Sequence, residues 1–195
     1  MNHDSLIIEG IVSTRNASGK PHFAAMGPRM PRGHVARFEL RPFSTAITLA
    51  NLTSHRYGVF HITDRVLQLA QIVTRQPIDS TQWRDLDGRL AILNDVCRWH
   101  AFEVESVELS EPRARIVCRV TESHTEREWA GFNRAAHAVV EMAILATRVG
   151  ILDEQELQFG LDQVRPWIDK TGGESERAAM ALLETYIDSQ IRLND

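Results

Sequence analysis

The feature that most constrains the fold is a change of hydrophobic period near residue 125. Before it, apolar residues come in short β-branched or alternating runs separated by turn residues, which is typical of strands. After it, they recur at helical spacing. Strands followed by helices indicate the α+β class, here an antiparallel barrel of about six strands and then three helices. We therefore predict a barrel domain at residues 1–124 and a helical subdomain at residues 125–195.

Six segments carry the strand signal. The clearest is Val35–Arg41, where apolar and charged residues alternate as on a half-buried strand. The predicted strands are Ser5–Ser13, Phe23–Met26, Val35–Arg41, Tyr57–Thr63, Trp99–Leu109 and Arg113–Thr121, the last two forming a hairpin. Residues 76–88, which contain Pro77 and Gly88, are predicted to be a surface loop.

Helices are predicted both between the strands and after them. One short helix follows Pro42 with Ser44 as its N-cap, and another follows Asp64 as a cap. A strong helix capped by Asn133 is expected to run to Gly150, and two more cover Asp153–Ile168 and Ser175–Leu193.

The helix that begins at Asn133 is apolar on most sides, which predicts burial on most sides. Two arrangements satisfy this pattern. The helix packs against both the barrel and a second subunit, or it is the central core helix of one subunit.

Composition narrows the class of protein. The chain has 195 residues, a net charge of −4 and an acidic C-terminal part, which argues against a nucleic-acid surface there. Its apolar runs are too short to span a bilayer, and we see no signal peptide, so we expect a cytoplasmic protein without a membrane partner. Cys97 and Cys118 fit no zinc pattern, and we predict buried structural thiols and no metal site.

The segment Arg41-Pro42-Phe43-Ser44-Thr45 is the best candidate for an anion site. An arginine ends a strand, and two hydroxyl groups precede a helix whose N-terminus carries unpaired N–H groups and partial positive charge. Together they would make a phosphate cradle. An ordinary serine cap beside a solvated arginine explains the same residues.

Two further segments carry weaker signals. In residues 22–28, small residues before Met26 and Gly27 would let the backbone approach a flat ligand, although an edge strand ending in a turn gives the same pattern. Asn133 and Arg134 place a cap and a cation at the start of the most apolar helix, suited to a ligand or subunit boundary or simply to capping. No nucleophile or nucleotide-loop motif is present, so the catalytic residues are unknown.

Taken in order, short motifs across nearly the whole chain resemble the family designated domain of unknown function 447, within the FMN-binding split-barrel superfamily of flavin reductases and pyridoxamine-phosphate-oxidase-like proteins. The motifs are Ile11-Val12-Ser13-Thr14, Ala24-Ala25-Met26-Gly27, Arg41-Pro42-Phe43, Thr48-Leu49-Ala50-Asn51-Leu52, Gly58-Val59-Phe60-His61-Ile62-Thr63-Asp64 and Phe132-Asn133-Arg134-Ala135. His22 and His61 stand where the family tends to have asparagine.

The resemblance implies a split β-barrel with a helical C-terminal part, a homodimer, and FMN at the subunit interface. Carried over residue by residue, the phosphate would lie against Arg41, Ser44, Thr45 and Thr48. The remaining cofactor-binding positions that it implies are Thr14, Met26, Gly27, Asn51, His61, Thr63, Asn133 and Arg134.

Three functions are compatible with these expectations. The first is a flavin-dependent oxidoreductase of unknown substrate that takes electrons from a donor such as NAD(P)H. The resemblance also suggests a pterin-like partner from tetrahydromethanopterin-dependent one-carbon metabolism. The second is a non-enzymatic flavin-binding protein, and the third is a cofactor-free accessory protein on the same scaffold.

Overall fold

The structure is a computed structural model that describes residues 5–194. Its helices and strands divide between two compact units. The first comprises residues 5–63 and 79–128, and the second comprises residues 64–78 and 129–194. The division after residue 124 expected from the sequence stays a prediction.

The first unit is built on antiparallel strands. Its strands are β1 (Ser5–Ile7), β2 (Gly10–Arg15), β3 (Pro21–Met26), β4 (Arg29–Pro31), β5 (Arg37–Leu40), β6 (Tyr57–Ile62), β7 (Trp83–Leu86), β8 (Leu90–Leu93), β9 (Arg98–Glu108) and β10 (Arg115–Thr125). Eight of them form one sheet in the order β1-β4-β5-β10-β9-β6-β2-β3, and β7 pairs with β8 in a separate hairpin. Helix α1 (Ile47–His55) lies between β5 and β6 in the chain.

The large sheet curls around one core. Val12 on β2 and Met30 on β4 lie near opposite ends of the strand order, yet both belong to a single cluster of buried side chains. Leu49 and Leu52 of α1 belong to the same cluster. The sheet is therefore an open half-barrel with α1 packed on its core, and with the helices that follow it confirms the predicted α+β split barrel.

The apolar and charged residues of β5 alternate between the core and the outer face, as the sequence predicts. Phe38 and Leu40 are buried in the core, whereas Arg37 and Glu39 face outward and form ion pairs with Glu105 and Arg115. The rings of Phe38 and Phe102 meet edge to face with centroids 5.1 Å apart, a favourable aromatic geometry. The strand periodicity is therefore confirmed here.

The strand predictions were wrong in detail at three places. The segment predicted as one strand over Ser5–Ser13 breaks into β1 and β2. The short strand β4 was missed, and so was the hairpin of β7 and β8, although β7 lies within the predicted loop at residues 76–88. Short or polar strands carry too few alternating positions to stand out in a sequence, which explains these misses.

The predicted caps of the two short helices were also wrong. The N-cap of α1 is Ala46, which offers no side-chain acceptor, so Ser44 does not cap this helix. Helix α2 (Val66–Val73) begins after Arg65, again without a side-chain cap. Asp64 instead accepts a hydrogen bond from the backbone N–H of Ala130 at 3.0 Å. Ser44 and Asp64 each bond to a residue far away in the sequence, Glu111 and Ala130, and the local sequence does not reveal these partners.

The second unit contains α2 together with α3 (Arg134–Ala146), α4 (Glu154–Thr171) and α5 (Glu174–Asn194). Helix α3 contacts α2, α4 and α5, which favours the central-core explanation of its apolar surface. Asn133 caps α3 as predicted, accepting from the N–H of Ala136 at 3.0 Å. The predicted end at Gly150 was wrong, because α3 ends at Ala146 and Gly150 follows in a turn with φ of 83°.

Among residues 5–194, no helix combines the length and the apolar character that crossing a membrane requires. The longest helix is α5, and acidic residues occupy its first turn.

His61 is a buried polar anchor of the first unit. Its Nδ1 lies 3.0 Å from the carbonyl oxygen of Ile11, and its Nε2 accepts the N–H of Leu93 at 3.1 Å. The second bond requires an unprotonated Nε2, so the ring is neutral with its hydrogen on Nδ1. Burial lowers the pKa of this imidazole to about 4, and the positive charge of Arg84 acts in the same direction.

This arrangement predicts acid sensitivity. The unfolded chain protonates His61 below its ordinary pKa of 6.5, but the folded chain keeps it neutral until about pH 4. The unfolded state therefore binds more protons in this window, and the free energy of unfolding should fall as pH drops through it. The contribution of His61 should be on the order of 2–3 kcal/mol. Urea unfolding measured at several pH values checks this.

His61→Gln should make that fall shallower. His100, whose pKa is also lowered to about 4 by burial, contributes to the part that remains. An equally steep fall in His61→Gln would exclude His61 as the responsible group.

Candidate cofactor site

The segment from Arg41 to Thr48, here called the cradle, is fixed by the turn between β9 and β10. The N–H of Ala114 donates to the carbonyl oxygen of Pro42 at 3.0 Å, and the N–H of Ser44 donates to that of Pro112 at 3.1 Å. The Ser44 hydroxyl donates to a carboxylate oxygen of Glu111 at 2.8 Å. The cradle therefore takes its shape from a turn that lies about 70 residues further along the chain.

The start of α1 offers donors to an anion. Its N-cap Ala46 makes no side-chain hydrogen bond, and its first turn holds no acidic residue. Within residues 5–194, the N–H groups of Ile47 and Thr48 donate to no backbone carbonyl. Such N–H groups and the helix dipole give a helix N-terminus a partial positive charge, which favours an anion.

Arg41, the first residue of the cradle, supplies a full positive charge. Its Nε donates to Glu39 at 2.6 Å, and Arg115 donates to the other oxygen of the same carboxylate at 2.6 Å. Partial burial opposes ionisation of Glu39, but these two arginines outweigh it and hold its pKa below the ordinary value. Arg41 is 41% exposed in its side chain, and within the described chain its two terminal nitrogens make no hydrogen bond. They are available to an anion.

A second arginine at this place was missed by the sequence analysis. The guanidinium of Arg113 stacks over the ring of Phe43 at 3.8 Å, and its Nη1 donates to the carbonyl oxygen of Arg41 at 3.0 Å. The pairing of β5 with β10 brings Arg113, two residues before β10, beside the residues that follow β5. Without that register, Arg113 was only the first residue of a predicted strand.

The structure brings together two predicted residues, Thr14 and Asn51. The side-chain amide of Asn51 on α1 donates to the Thr14 hydroxyl on β2 at 2.9 Å, and both are buried. His22 lies directly opposite Thr14 in the pairing of β2 with β3. Burial lowers the pKa of the His22 imidazole. The result is a small polar group where α1 meets these two strands.

Met26 and Gly27 end β3. Met26 is half-buried and packs against the core cluster. At Gly27, a Cβ atom would lie 2.6 Å from Ile7 and 2.7 Å from Glu9. Gly27 therefore lies close to the chain's own residues 7 and 9. The approach of a flat ligand to this segment stays a prediction.

The other predicted residues lie elsewhere. Thr63 follows β6 and is half-buried, and Thr45 is exposed before α1. His61 has both ring nitrogens engaged inside the first unit. Asn133 and Arg134 belong to the second unit, where the Asn133 amide also donates to the carbonyl oxygen of Thr171 at 3.1 Å and Arg134 is exposed.

Glu103 and Glu105 alternate on β9, and two carboxylates so placed could in principle act as an acid–base pair. Both are bound by arginines: Glu103 by Arg89 and Arg119, and Glu105 by Arg37. The hydrogen bond from Arg37, with the charges of Arg37 and Arg119, lowers the pKa of Glu105. A carboxylate held ionised in this way is a poor general acid. This favours the simpler explanation that Glu103 and Glu105 only form the solvent-exposed face of β9.

Family models cover most of the chain. Residues 8–127 match the N-terminal domain of a protein family of unknown function, DUF447, and residues 133–185 match the C-terminal part of the same family. The chain belongs to the DUF447 family. The resemblance inferred from the ordered motifs is thereby confirmed. No curated protein matches the chain.

Solved structures of similar shape agree with this membership. An FMN-bound DUF447 protein from Methanosarcina mazei is 20% identical and superposes with a TM-score of 0.80, covering 92% of this chain and 94% of the other. A protein from Sinorhizobium meliloti, for which oxidoreductase activity has been suggested, is 16% identical with a TM-score of 0.52. It covers 69% of this chain and 53% of the other. At sequence identities of 16% and 20%, these structural similarities establish that the chain has the split-barrel fold.

In this DUF447 chain, the Thr14–Asn51 hydrogen bond should stabilise the first unit. Thr14→Val keeps the side-chain shape but leaves the buried Asn51 amide without its acceptor. We expect it to lower the free energy of unfolding by about 1–3 kcal/mol. Urea unfolding of Thr14→Val, Asn51→Leu and the double variant measures the coupling between them. Additive effects of the two substitutions would show that the bond contributes nothing.

Proposed function

We propose that this protein binds FMN, with the phosphate of the cofactor held at the cradle. The observation that carries the proposal is the start of α1, which has no side-chain cap and no acidic residue in its first turn and which follows Arg41 closely in the chain. The FMN-bound structure from Methanosarcina mazei, in the same family, supports it.

The donors present suit a phosphate monoester. Such a group carries between one and two negative charges near neutral pH and offers three strong acceptor oxygens. The terminal nitrogens of Arg41, the hydroxyls of Ser44 and Thr45 and the first N–H groups of α1 are all donors. Thr48 is buried in the first turn and supports that turn.

The remaining positions form the proposed flavin side of the site. Thr14, Met26, Gly27, Asn51 and Thr63 are proposed from the first unit. Asn133 and Arg134 are proposed as well, on the resemblance to the family, together with a homodimer. We leave His61 out of the site, because both of its ring nitrogens already have partners.

The chemistry we propose is electron transfer by a flavin-dependent oxidoreductase of unknown substrate. FMN, when bound, would supply hydride and single-electron transfer. The residues of the chain would bind and orient the cofactor and exclude water, which requires no catalytic acid or base among them. NAD(P)H is the proposed electron donor, and a pterin-like compound is a proposed partner.

A cofactor-free accessory protein is a second candidate, and one observation favours it. Two polar groups of the cradle already have carboxylate partners, since Ser44 is bound to Glu111 and Arg41 to Glu39. These contacts satisfy part of the cradle without any ligand. FMN titration decides between the two candidates.

Arg41→Ala should weaken FMN binding by about tenfold or more, because a charged hydrogen bond to phosphate contributes roughly 1.5–3 kcal/mol. Riboflavin, which lacks the phosphate, should bind both proteins equally. Quenching of flavin fluorescence during titration gives both dissociation constants. Arg37→Ala is the matched control, because Arg37 is an exposed arginine on β5 whose partner is Glu105.

An equal loss of FMN affinity in the two arginine variants would argue against a specific phosphate contact. Absence of saturable FMN binding by the unaltered protein would favour the accessory role.

Oxidoreductase activity has its own test. With FMN bound, we expect the protein to oxidise NADH or NADPH faster than free FMN does at the same concentration, followed at 340 nm. Arg41→Ala should lose this acceleration at low FMN and regain it at saturating FMN, since Arg41 is proposed to bind the cofactor and not to react. Tight FMN binding without acceleration would indicate a flavin-binding protein that is no NAD(P)H oxidase.

A further inference from the structure

We infer that the β9–β10 turn, Ser110–Arg113, determines how strongly this protein prefers FMN to riboflavin. Arg113 adds a second cation to the cradle, and Glu111 competes with the phosphate for the Ser44 hydroxyl. The inference rests on the proposed function, since it assigns new residues to the same phosphate site.

The contact between Glu111 and Ser44 is the first step. The Ser44 hydroxyl has one hydrogen to donate, and it donates it to Glu111. A phosphate oxygen bound by Ser44 must take that hydrogen bond from the carboxylate. The two anions then lie beside the same hydroxyl and repel each other. Glu111 therefore weakens the binding of a charged ligand at this place.

Exposure of Glu111 sets the size of the effect. Glu111 is exposed to solvent, so the repulsion between its carboxylate and the phosphate is screened and modest. A phosphate that carries nearly two charges strengthens this repulsion. Removal of the Glu111 charge should tighten FMN binding on the order of threefold to tenfold.

Arg113 acts in the opposite direction. One of its nitrogens is fixed on the carbonyl oxygen of Arg41, and its plane stacks on Phe43. This guanidinium is therefore held in place before any ligand arrives, which reduces the entropy lost on binding. Among the described residues, its Nε and Nη2 have no hydrogen-bond partner. They remain as donors at the edge of the cradle.

Glu111 and Arg113 belong to the same short turn, and this turn contacts the cradle through its backbone. The N–H of Ser44 donates to Pro112, which stands between Glu111 and Arg113. Phe43 and Arg113 also form an isolated β-bridge. Backbone contacts thus fix the turn against the cradle. Glu111 and Arg113, the two charged residues of the turn, lie on either side of Pro112, which accepts the hydrogen bond from Ser44. Opposite charges on one rigid turn predict opposite effects on a phosphorylated ligand and none on an unphosphorylated one.

The experiment titrates FMN and riboflavin into the full chain, its Glu111→Gln variant and its Arg113→Gln variant. Glu111→Gln should lower the FMN dissociation constant about threefold to tenfold, and Arg113→Gln should raise it by a similar factor. Riboflavin constants should stay within about twofold in all three. The differences should shrink in 1 M salt, where the screening length is about 3 Å.

Glu108→Gln is the matched control. It removes the same charge from the same hairpin at the end of β9, where the nearest cation is Arg115 at 3.7 Å. It should leave the FMN to riboflavin ratio unchanged. Urea midpoints confirm that each variant is folded, and if Arg113→Gln is not, Glu111→Gln decides the inference alone.

The outcomes separate the two levels of the proposal. FMN binding that Glu111→Gln leaves unchanged or weakens would overturn the role of the turn and leave the FMN proposal standing. Equal changes for FMN and riboflavin would also overturn it, because they would show an effect on the site as a whole. No binding of either flavin by any of the proteins would overturn both.

Discussion

Three phenylalanine rings at the centre of the curled sheet hold the first unit together. Phe38 on β5, Phe60 on β6 and Phe102 on β9 are almost completely buried, and the Phe38 ring contacts both of the others. Since β5 lies on one side of the β10–β9 pair and β6 on the other, these contacts close the sheet on itself. The curl in turn gives α1 a surface for Leu49 and Leu52. The start of α1, and with it the cradle, is positioned by that packing.

Two glycines make room for the rings. A Cβ atom at Gly10 would lie 2.7 Å from the Phe60 ring and 2.4 Å from the carbonyl oxygen of His61. At Gly58 it would lie 2.8 Å from the Phe102 ring and 2.7 Å from the carbonyl oxygen of Ser13. The strands can approach and carry large rings only because these positions have no side chain. Alanine there would force the strands apart at the core.

The sequence predicted elements whose signal is local. Alternation along β5 and the Asn133 cap both depend on residues a few positions apart, and both are confirmed. Ser44 shows the limit: its type and position suit a cap, but its hydroxyl is taken by Glu111, 67 positions away. Arg113 was missed for the same reason, because only the register of β5 with β10 places it at the cradle. Contacts of this kind depend on which strands pair, and hydrophobic period does not specify that.

The hairpin of β7 and β8 makes several directional polar bonds to the barrel strands. The Ser13 hydroxyl donates to the carbonyl oxygen of Ala91, Arg15 donates to that of Arg89, and the N–H of Leu93 donates to His61. These bonds contact alternate residues of the hairpin, so a slip of one residue would break all of them at once. During evolution, an insertion or deletion within residues 89–93 would therefore disturb all three bonds at once, so Ser13, Arg15 and His61 together constrain the length of this segment.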